Sequence, residues 1–139
     1  MIHRSEFELH GTGETDVGDV TERVAATVVE SGVQEGLCTG FVAGSTAAVT
    51  TIEFEPGVVE DLKRAIEKLA PRGEEYAHDA AWGDGNGYSH VRAALLGPSL
   101  TVPIAEGRLV LGTRQQIVVL DFDNRPRRRR DLVQVTGER

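Results

Sequence analysis

Polar and apolar side chains alternate along Ser5-Glu6-Phe7-Glu8-Leu9, the two-residue period of a strand with one buried face. The period then lengthens to that of a helix. Val20, Val24, Ala25, Val28 and Val29 form one stripe, Asp19 and Glu22 stand at capping-box spacing, and Gly32 supplies the left-handed residue that ends the helix. A second amphipathic helix starts at Pro56, with Val58, Val59, Leu62, Ile66 and Leu69 on one face, charges on the other and Pro71 beyond its end. Between the two, Leu37–Val42 and Ala47–Phe54 predict strands joined at Gly44-Ser45. Ser89–Leu96 predicts a short helix that stops at Gly97-Pro98. Strands follow over Leu100–Ile104, Leu109–Leu111, Gln116–Phe122 and Arg127–Val135, with hairpin turns expected at Glu106-Gly107 and Asp123-Asn124. Short connections imply antiparallel pairing, because parallel pairs need long crossovers. The pattern predicts a single α+β domain over residues 1–139, an antiparallel β-sheet or sandwich with two amphipathic helices and one short helix packed on it.

Composition narrows the class. A chain of 139 residues with 40% hydrophobic and 27% charged residues supports a self-sufficient core. Cys38 is the only cysteine, which excludes an internal disulfide and fits a reducing compartment. No apolar run approaches the ~20 residues of a membrane span, and no apolar block follows Arg4 as in a secretory signal. The expected location is cytoplasmic, with no membrane partner. A formal charge of −7 opposes nucleic acid, and the one basic run does not reverse this. On a strand, Arg127 and Arg129 point one way and Arg128 and Arg130 the other, while Asp121, Asp123 and Asp131 flank them. No nucleic-acid partner is expected.

The chemistry is concentrated between Gly44 and His90. The run from Tyr76 to His90 holds His78, Asp79, Trp82, Asp84, Asn86, Tyr88 and His90 among three glycines, and it reads as a long connection without regular structure of its own. Imidazole and carboxylate together bind divalent metal or move protons near neutral pH. Two plainer readings stay open: Asp84 to Gly87 as two tight turns, and Asn86 or Ser89 as a helix cap. His78 and His90 lack the i, i+4 spacing of a helical metal pair, and Trp82 reads as a packing residue. Gly44-Ser45-Thr46 offers hydroxyls and backbone N–H groups, a phosphate cradle or only a turn. Thr51 and Glu53 share one strand face by alternation. Cys38 has no histidine partner in sequence and no Gly-x-Ser-x-Gly elbow exists, so nucleophilic catalysis is unsupported.

Blocks of residues resemble one family in order and spacing. They are Phe41 to Ala48 with Thr51-Ile52-Glu53, Asp61-Leu62, Tyr76-Ala77-His78, Asp84-Gly85-Asn86, Ser89-His90, Leu95 to Ser99, Val102-Pro103, Leu111-Gly112-Thr113 with Gln115, and Arg127 with Arg129. The chain resembles the YjbQ-like family, often labelled secondary thiamine-phosphate synthase, over nearly its whole length, and looks closest to the archaeal branch. The resemblance implies a small α+β fold, a homotrimer, and polar pockets near subunit boundaries. It also implies a weak activity that joins a hydroxymethylpyrimidine diphosphate to a thiazole phosphate, giving thiamine phosphate and pyrophosphate. By position, the family's polar cluster falls on Ser45, Thr46, Glu53, His78, Asp84, Asn86, His90, Gln115 and Arg127. Two positions depart from the pattern: Gly44 stands where many members have histidine, and Arg114 where most have tryptophan.

The resulting expectation is an enzyme acting on a phosphorylated small molecule. Glu53, His78, Asp84, Asn86 and His90 would be catalytic, converging on one pocket with Ser45 and Thr46 at its rim. Ser45, Thr46, Gln115 and Arg127 would hold substrate phosphate. His78, Asp84 and His90 would bind a divalent metal, magnesium or zinc. The alternative is a non-enzymatic module that binds a phosphorylated metabolite or a metal with the same residues.

Overall fold

The computed structural model describes residues Met1–Arg139. In chain order the elements are strand β1 (Ile2–Gly11), strand β2 (Asp16–Asp19), helix α1 (Thr21–Ser31), strand β3 (Glu35–Ala43), strand β4 (Ala47–Ile52), helix α2 (Pro56–Leu69), helix α3 (Ala77–Trp82), helix α4 (Gly87–Leu96), strand β5 (Ser99–Ala105), strand β6 (Arg108–Leu109), strand β7 (Gln116–Asp121) and strand β8 (Arg127–Glu138). None of the helices is long and apolar enough to cross a membrane.

Every strand pair is antiparallel, but most partners are distant in sequence. A five-stranded sheet has the order β1-β8-β3-β5-β6, and a three-stranded sheet the order β2-β7-β4. The predicted joint at Gly44-Ser45 and turn at Asp123-Asn124 are therefore not hairpins. Both carry the chain from one sheet to the other, because β3 and β8 lie in the large sheet while β4 and β7 lie in the small one. The physical reason is in the strands themselves. Ile117, Val118, Val119 and Leu120 are all buried, so β7 needs cover on both faces, whereas β8 alternates buried and open positions. Only β5 and β6 make the expected hairpin, with Glu106 (φ 52°) and Gly107 (φ 76°) both left-handed as a mirror-type turn requires.

Two apolar cores follow. The larger lies between the sheets and under α1, with Val24 and Val28 from the helix meeting Cys38, Val49, Ile117, Val119, Val133 and Val135. The smaller covers the other face of the small sheet, where Ala48, Val118 and Leu120 meet Ile66 of α2 and Ala93 of α4.

The predicted capping box at α1 is not formed. Val20 occupies the cap, and Asp19 instead accepts from the Thr21 N–H (2.9 Å) and hydroxyl (2.6 Å). Gly32 closes the helix as expected, at φ 71°. At α2 the Glu55 carboxylate accepts from the Gly57 and Val58 N–H groups, and Leu69 turns outward instead of joining the buried face. β4 ends at Ile52, short of Glu53. The run from Tyr76 to His90 is not an irregular connection: α3 occupies its first part and α4 begins at Gly87. The four residues of β2 carry no alternation to reveal them and are held by pairing with β7.

Asp131 is the inward residue of β8 that the core does not accommodate. It is 3% exposed, and neither carboxylate oxygen has a hydrogen-bond partner. Burial pushes its carboxyl up to about 7; Arg129 and Arg23 pull it down and Asp121 pushes it further up. The folded state thus holds this proton more tightly than the unfolded chain does. Its stabilising share is complete below the ordinary aspartate range and is lost as pH rises toward 7. Asp131→Asn should flatten that slope and stabilise the protein at pH 8 by about 1–3 kcal/mol. Urea unfolding of both proteins across the pH range checks this, and identical pH profiles would contradict it.

Candidate functional site

Helix α3 is short, and its geometry sets the site. His78 and Trp82 stand one turn apart on one side, their rings 6.3 Å apart and inclined by only 20°. Gly83 (φ 67°) turns the chain so that Asp84 comes back beside His78, placing its Oδ1 3.4 Å from the His78 Nδ1. Asp79 Oδ1 lies 3.8 Å from the same nitrogen and accepts from the Gly87 N–H at the start of α4 (2.9 Å). A side chain at Gly87 would collide with Tyr76, so only glycine lets the two helices approach this closely. His90, in the first turn of α4, brings its ring 4.4 Å from that of His78. The His78 Nδ1 is buried and makes no hydrogen bond. One ligand atom from each of His78, Asp79 and Asp84 falls within 4.8 Å of the others.

A buried polar network backs this cluster. The Asn86 N–H donates to Asp84 Oδ1 (3.2 Å), while its side chain points inward. There its Nδ2 donates to Asp123 (3.2 Å), and its Oδ1 accepts from the Ser89 hydroxyl (2.5 Å) and the Asn124 N–H (3.1 Å). Asp123 also accepts from the Thr46 hydroxyl (2.9 Å) and from Arg127 Nε (3.1 Å). Burial works against the Asp123 charge, but the hydrogen bonds from Thr46, Asn86 and Arg127 outweigh it and hold the carboxyl below its ordinary value. Arg129 grips Asp121 with two nitrogens at 2.8 Å and donates to the Thr46 hydroxyl (2.6 Å). The arginine run is split across the strand: Arg127 and Arg129 turn toward these carboxylates, and Arg130 pairs with Glu6 elsewhere.

The structure therefore gathers His78, Asp84 and His90, links Asn86 to them, and connects Thr46 and Arg127 through Asp123. It does not bring in Glu53 or Gln115. β4 stops before Glu53, so alternation no longer sets its direction, and its carboxylate pairs with Arg114 (3.3 Å). Gln115 bonds Thr51 (3.0 Å) and the Gly112 N–H (3.0 Å) beside a separate groove of about 240 Å³. Ser45 is exposed beside Thr46, whereas the Thr46 hydroxyl is buried and committed to Asp123 and Arg129. At Gly44, an added Cβ would lie 2.8 Å from an Arg129 nitrogen, so here the guanidinium packs directly against backbone. Trp82 is not a packing residue: it is 76% exposed.

Three participants, Asp79, Asp123 and Trp82, lie outside the residues that the sequence assigns to the site. Asp79 stood in the same run as His78 and was legible there. Asp123 falls in a segment whose composition signals a hairpin turn, which gives a carboxylate no buried role. Nothing local distinguishes an exposed Trp82 from a buried one.

Comparison with known proteins places this arrangement in context. The family model described as UPF0047 protein YjbQ-like matches residues 5–138. The chain is 39% identical over 128 residues to a UPF0047 protein of Archaeoglobus fulgidus, covering 92% of this chain and 97% of that one. It is 34% identical over 137 residues to a UPF0047 protein of Methanothermobacter thermautotrophicus, covering 99% and 94%. Among solved structures, a YbjQ-like protein of Sulfolobus solfataricus P2 superposes with a TM-score of 0.89 at 30% identity, covering 99% of this chain and 100% of that one. A protein of Aeropyrum pernix K1 superposes with a TM-score of 0.90 at 32% identity, covering 97% and 98%.

Asp123→Ala should leave Asn86, Thr46 and Arg127 without their shared acceptor and cost about 2–4 kcal/mol. His90→Ala, which removes no hydrogen bond of the network, should cost far less. Chemical denaturation of the two variants checks the contrast, and equal losses would remove Asp123 from the centre of the network.

Proposed function

We propose, from the premise that the chain belongs to the UPF0047 YjbQ-like family, that it binds a divalent cation at His78, Asp79 and Asp84 and acts there on a phosphorylated small molecule. One observation carries the reading: the buried, unpartnered Nδ1 of His78 faces two carboxylates. An orphaned imidazole nitrogen costs free energy unless a proton donor or a metal ion answers it. Ligands bound at roughly 2.0–2.2 Å stand at most about 4.4 Å apart, so the present spread closes on an ion with small side-chain shifts. One imidazole with carboxylates suits zinc better than magnesium, which prefers oxygen ligands alone.

When bound, such an ion would offset the charge of a diphosphate and of pyrophosphate as it departs. The protein's own residues divide the remaining work. Gly87 and Asn86 orient Asp79 and Asp84 through backbone N–H groups, in the way outer partners orient metal ligands. Arg127, 39% exposed at its side chain, keeps guanidinium nitrogens beyond the one given to Asp123 and offers them, with the Ser45 hydroxyl, to phosphate. Thr46 and Asn86 hold Asp123, which holds Arg127; both are positioning residues. His90 receives or supplies a proton beside His78.

The activity implied by the resemblance has a definite form. The thiazole nitrogen attacks the methylene carbon of the pyrimidine diphosphate, a C–N bond forms as the C–O bond breaks, and pyrophosphate leaves with the electron pair. Zinc-dependent release of pyrophosphate from these two compounds supports that form. Saturable binding of the same compounds without product corresponds to the binding-module alternative.

Calorimetric titration with Zn²⁺ should give a single saturable site per chain. His78→Ala and Asp84→Asn should each weaken it by about 10-fold or more with little change in melting temperature. Absence of saturable binding by the wild type would sink the metal reading.

We also propose a homotrimer, which the resemblance implies. The outer face of the five-stranded sheet leaves Ile2, Leu37 and Phe41 exposed, and such a face gains by cover. Light scattering should give three times the 15.0 kDa chain mass, and a monomer mass would refute it.

A further inference from the structure

We infer that Trp82 of one copy seats in a depression on the outer sheet face of the next, so that the homotrimer closes head to tail. This rests on the homotrimer reading and adds the second half of its contact. Copies related by a threefold axis do not meet through one patch alone. Each interface joins a patch on one copy to a different patch on the next. The outer face of the five-stranded sheet is one patch, and the other has to expose apolar area elsewhere on the chain.

Trp82 meets that need. It is the only tryptophan and, at 76%, the most exposed of the large apolar side chains. Its ring stacks on His78, which gives the indole a defined direction. α4, on which α3 docks, leaves Val91 and Leu95 exposed as well. Val29 on α1 and Leu69 on α2 stand singly, which is ordinary for a protein surface. An indole is also the side chain that most often anchors an interface.

The receiving face has the matching chemistry. Arg4, Gln134 and Thr39 lie side by side across β1, β8 and β3, and Leu132, Phe41 and Ser99 form the next row across β8, β3 and β5. These six line a depression of about 420 Å³ with two apolar side chains, Phe41 and Leu132, and one cation, Arg4. A covered indole buries roughly 150–250 Å², and a guanidinium against its face adds a cation–π contact. Arg4 gives its Nε to Gln134 (2.9 Å) and keeps its other nitrogens free, while Glu6 on the same face is taken by Arg130. The charges are complementary. His78, beneath the indole, is flanked by the partly exposed carboxylates of Asp79 and Asp84, and the receiving face brings the partner's Arg4 to that side. The receiving sheet thus walls the His78 cluster on its Trp82 side.

The two halves of the contact can be removed separately. Trp82→Ala and Phe41→Asp should each weaken assembly by about 30-fold or more, with loss of the light-scattering species at three times the 15.0 kDa chain mass. Trp82→Phe should keep that species. Both side chains are exposed in the single chain, so each variant should retain the far-UV circular dichroism of the wild type. Mixing the variants gives the sharper readout. Trp82→Ala contains no tryptophan but keeps the depression, whereas Phe41→Asp keeps the indole and spoils the depression. An equimolar mixture should form a species of twice the chain mass in which the one indole becomes protected from acrylamide, and neither variant alone should do so. If the wild type is a trimer that Trp82→Ala leaves intact, or if the indole of the mixture stays open to acrylamide, the contact is overturned and the homotrimer stands. A monomeric wild type removes the homotrimer reading and this inference with it.

Discussion

Two buried carboxylates and two arginines hold the molecule in register. Asp121 and Asp123 leave the end of β7 in the small sheet, and Arg127 and Arg129 enter from β8 in the large one. Breaking such a buried pair by removing one partner costs about 3–5 kcal/mol, because the remaining charge is stranded. The geometry here avoids that penalty. Arg129 meets Asp121 with two parallel hydrogen bonds, and Asp123 is saturated by Thr46, Asn86 and Arg127. Thr46 sits where β3 hands over to β4, so the same network fastens two of the places where the chain changes sheet, β3 to β4 and β7 to β8.

The connection from β1 to β2 depends on this arrangement too. Gly13, Glu14 and Thr15 are all left-handed, and a β-branched threonine at φ 65° is strained. Their surroundings hold them there: the Glu14 N–H donates to the Asp123 carbonyl (2.9 Å), Arg92 donates to the Thr15 hydroxyl (3.0 Å), and Arg72 pairs with Glu14. Arg92 is buried between α4 and α2, with bonds to the Ala70 carbonyl and Glu67 and with its guanidinium over Tyr88. α4 is therefore anchored through Ser89, Asn86 and Arg92, and it presents His90 from a fixed base.

The candidate site draws its order from that base. α3 makes few contacts of its own: none of its residues is buried, and Asp79 and Tyr76 tie it to the N-terminus of α4 and to Pro71. Donor atoms are thus carried by a short exposed helix docked on a rigid one, which combines access with defined position. Cys38 takes no part. It is buried in the larger core, and burial pushes its thiol up to about 11, well away from nucleophilic character.

The sequence by itself determined the local elements and much of the chemistry. Period two marked β1, period 3.6 marked α1 and α2, the glycine at position 32 and the Glu106-Gly107 pair marked a helix end and a hairpin, and His78, Asp84, Asn86 and His90 stood out by composition. These signals are legible because they arise between residues a few positions apart. The tertiary structure alone decided which strands share a sheet, since alternation reports a half-buried face without saying what covers it. It removed Glu53 and Gln115 from the site, turned Thr46 into a support, and exposed Trp82. Asp123 acquired its role for the same reason: a carboxylate in a connecting segment reads as a turn until partners from positions 46, 86 and 127 meet on it. Thr46 and Asn86 lie 77 and 37 residues away along the chain, and only the packing of the tertiary structure brings them within hydrogen-bonding distance.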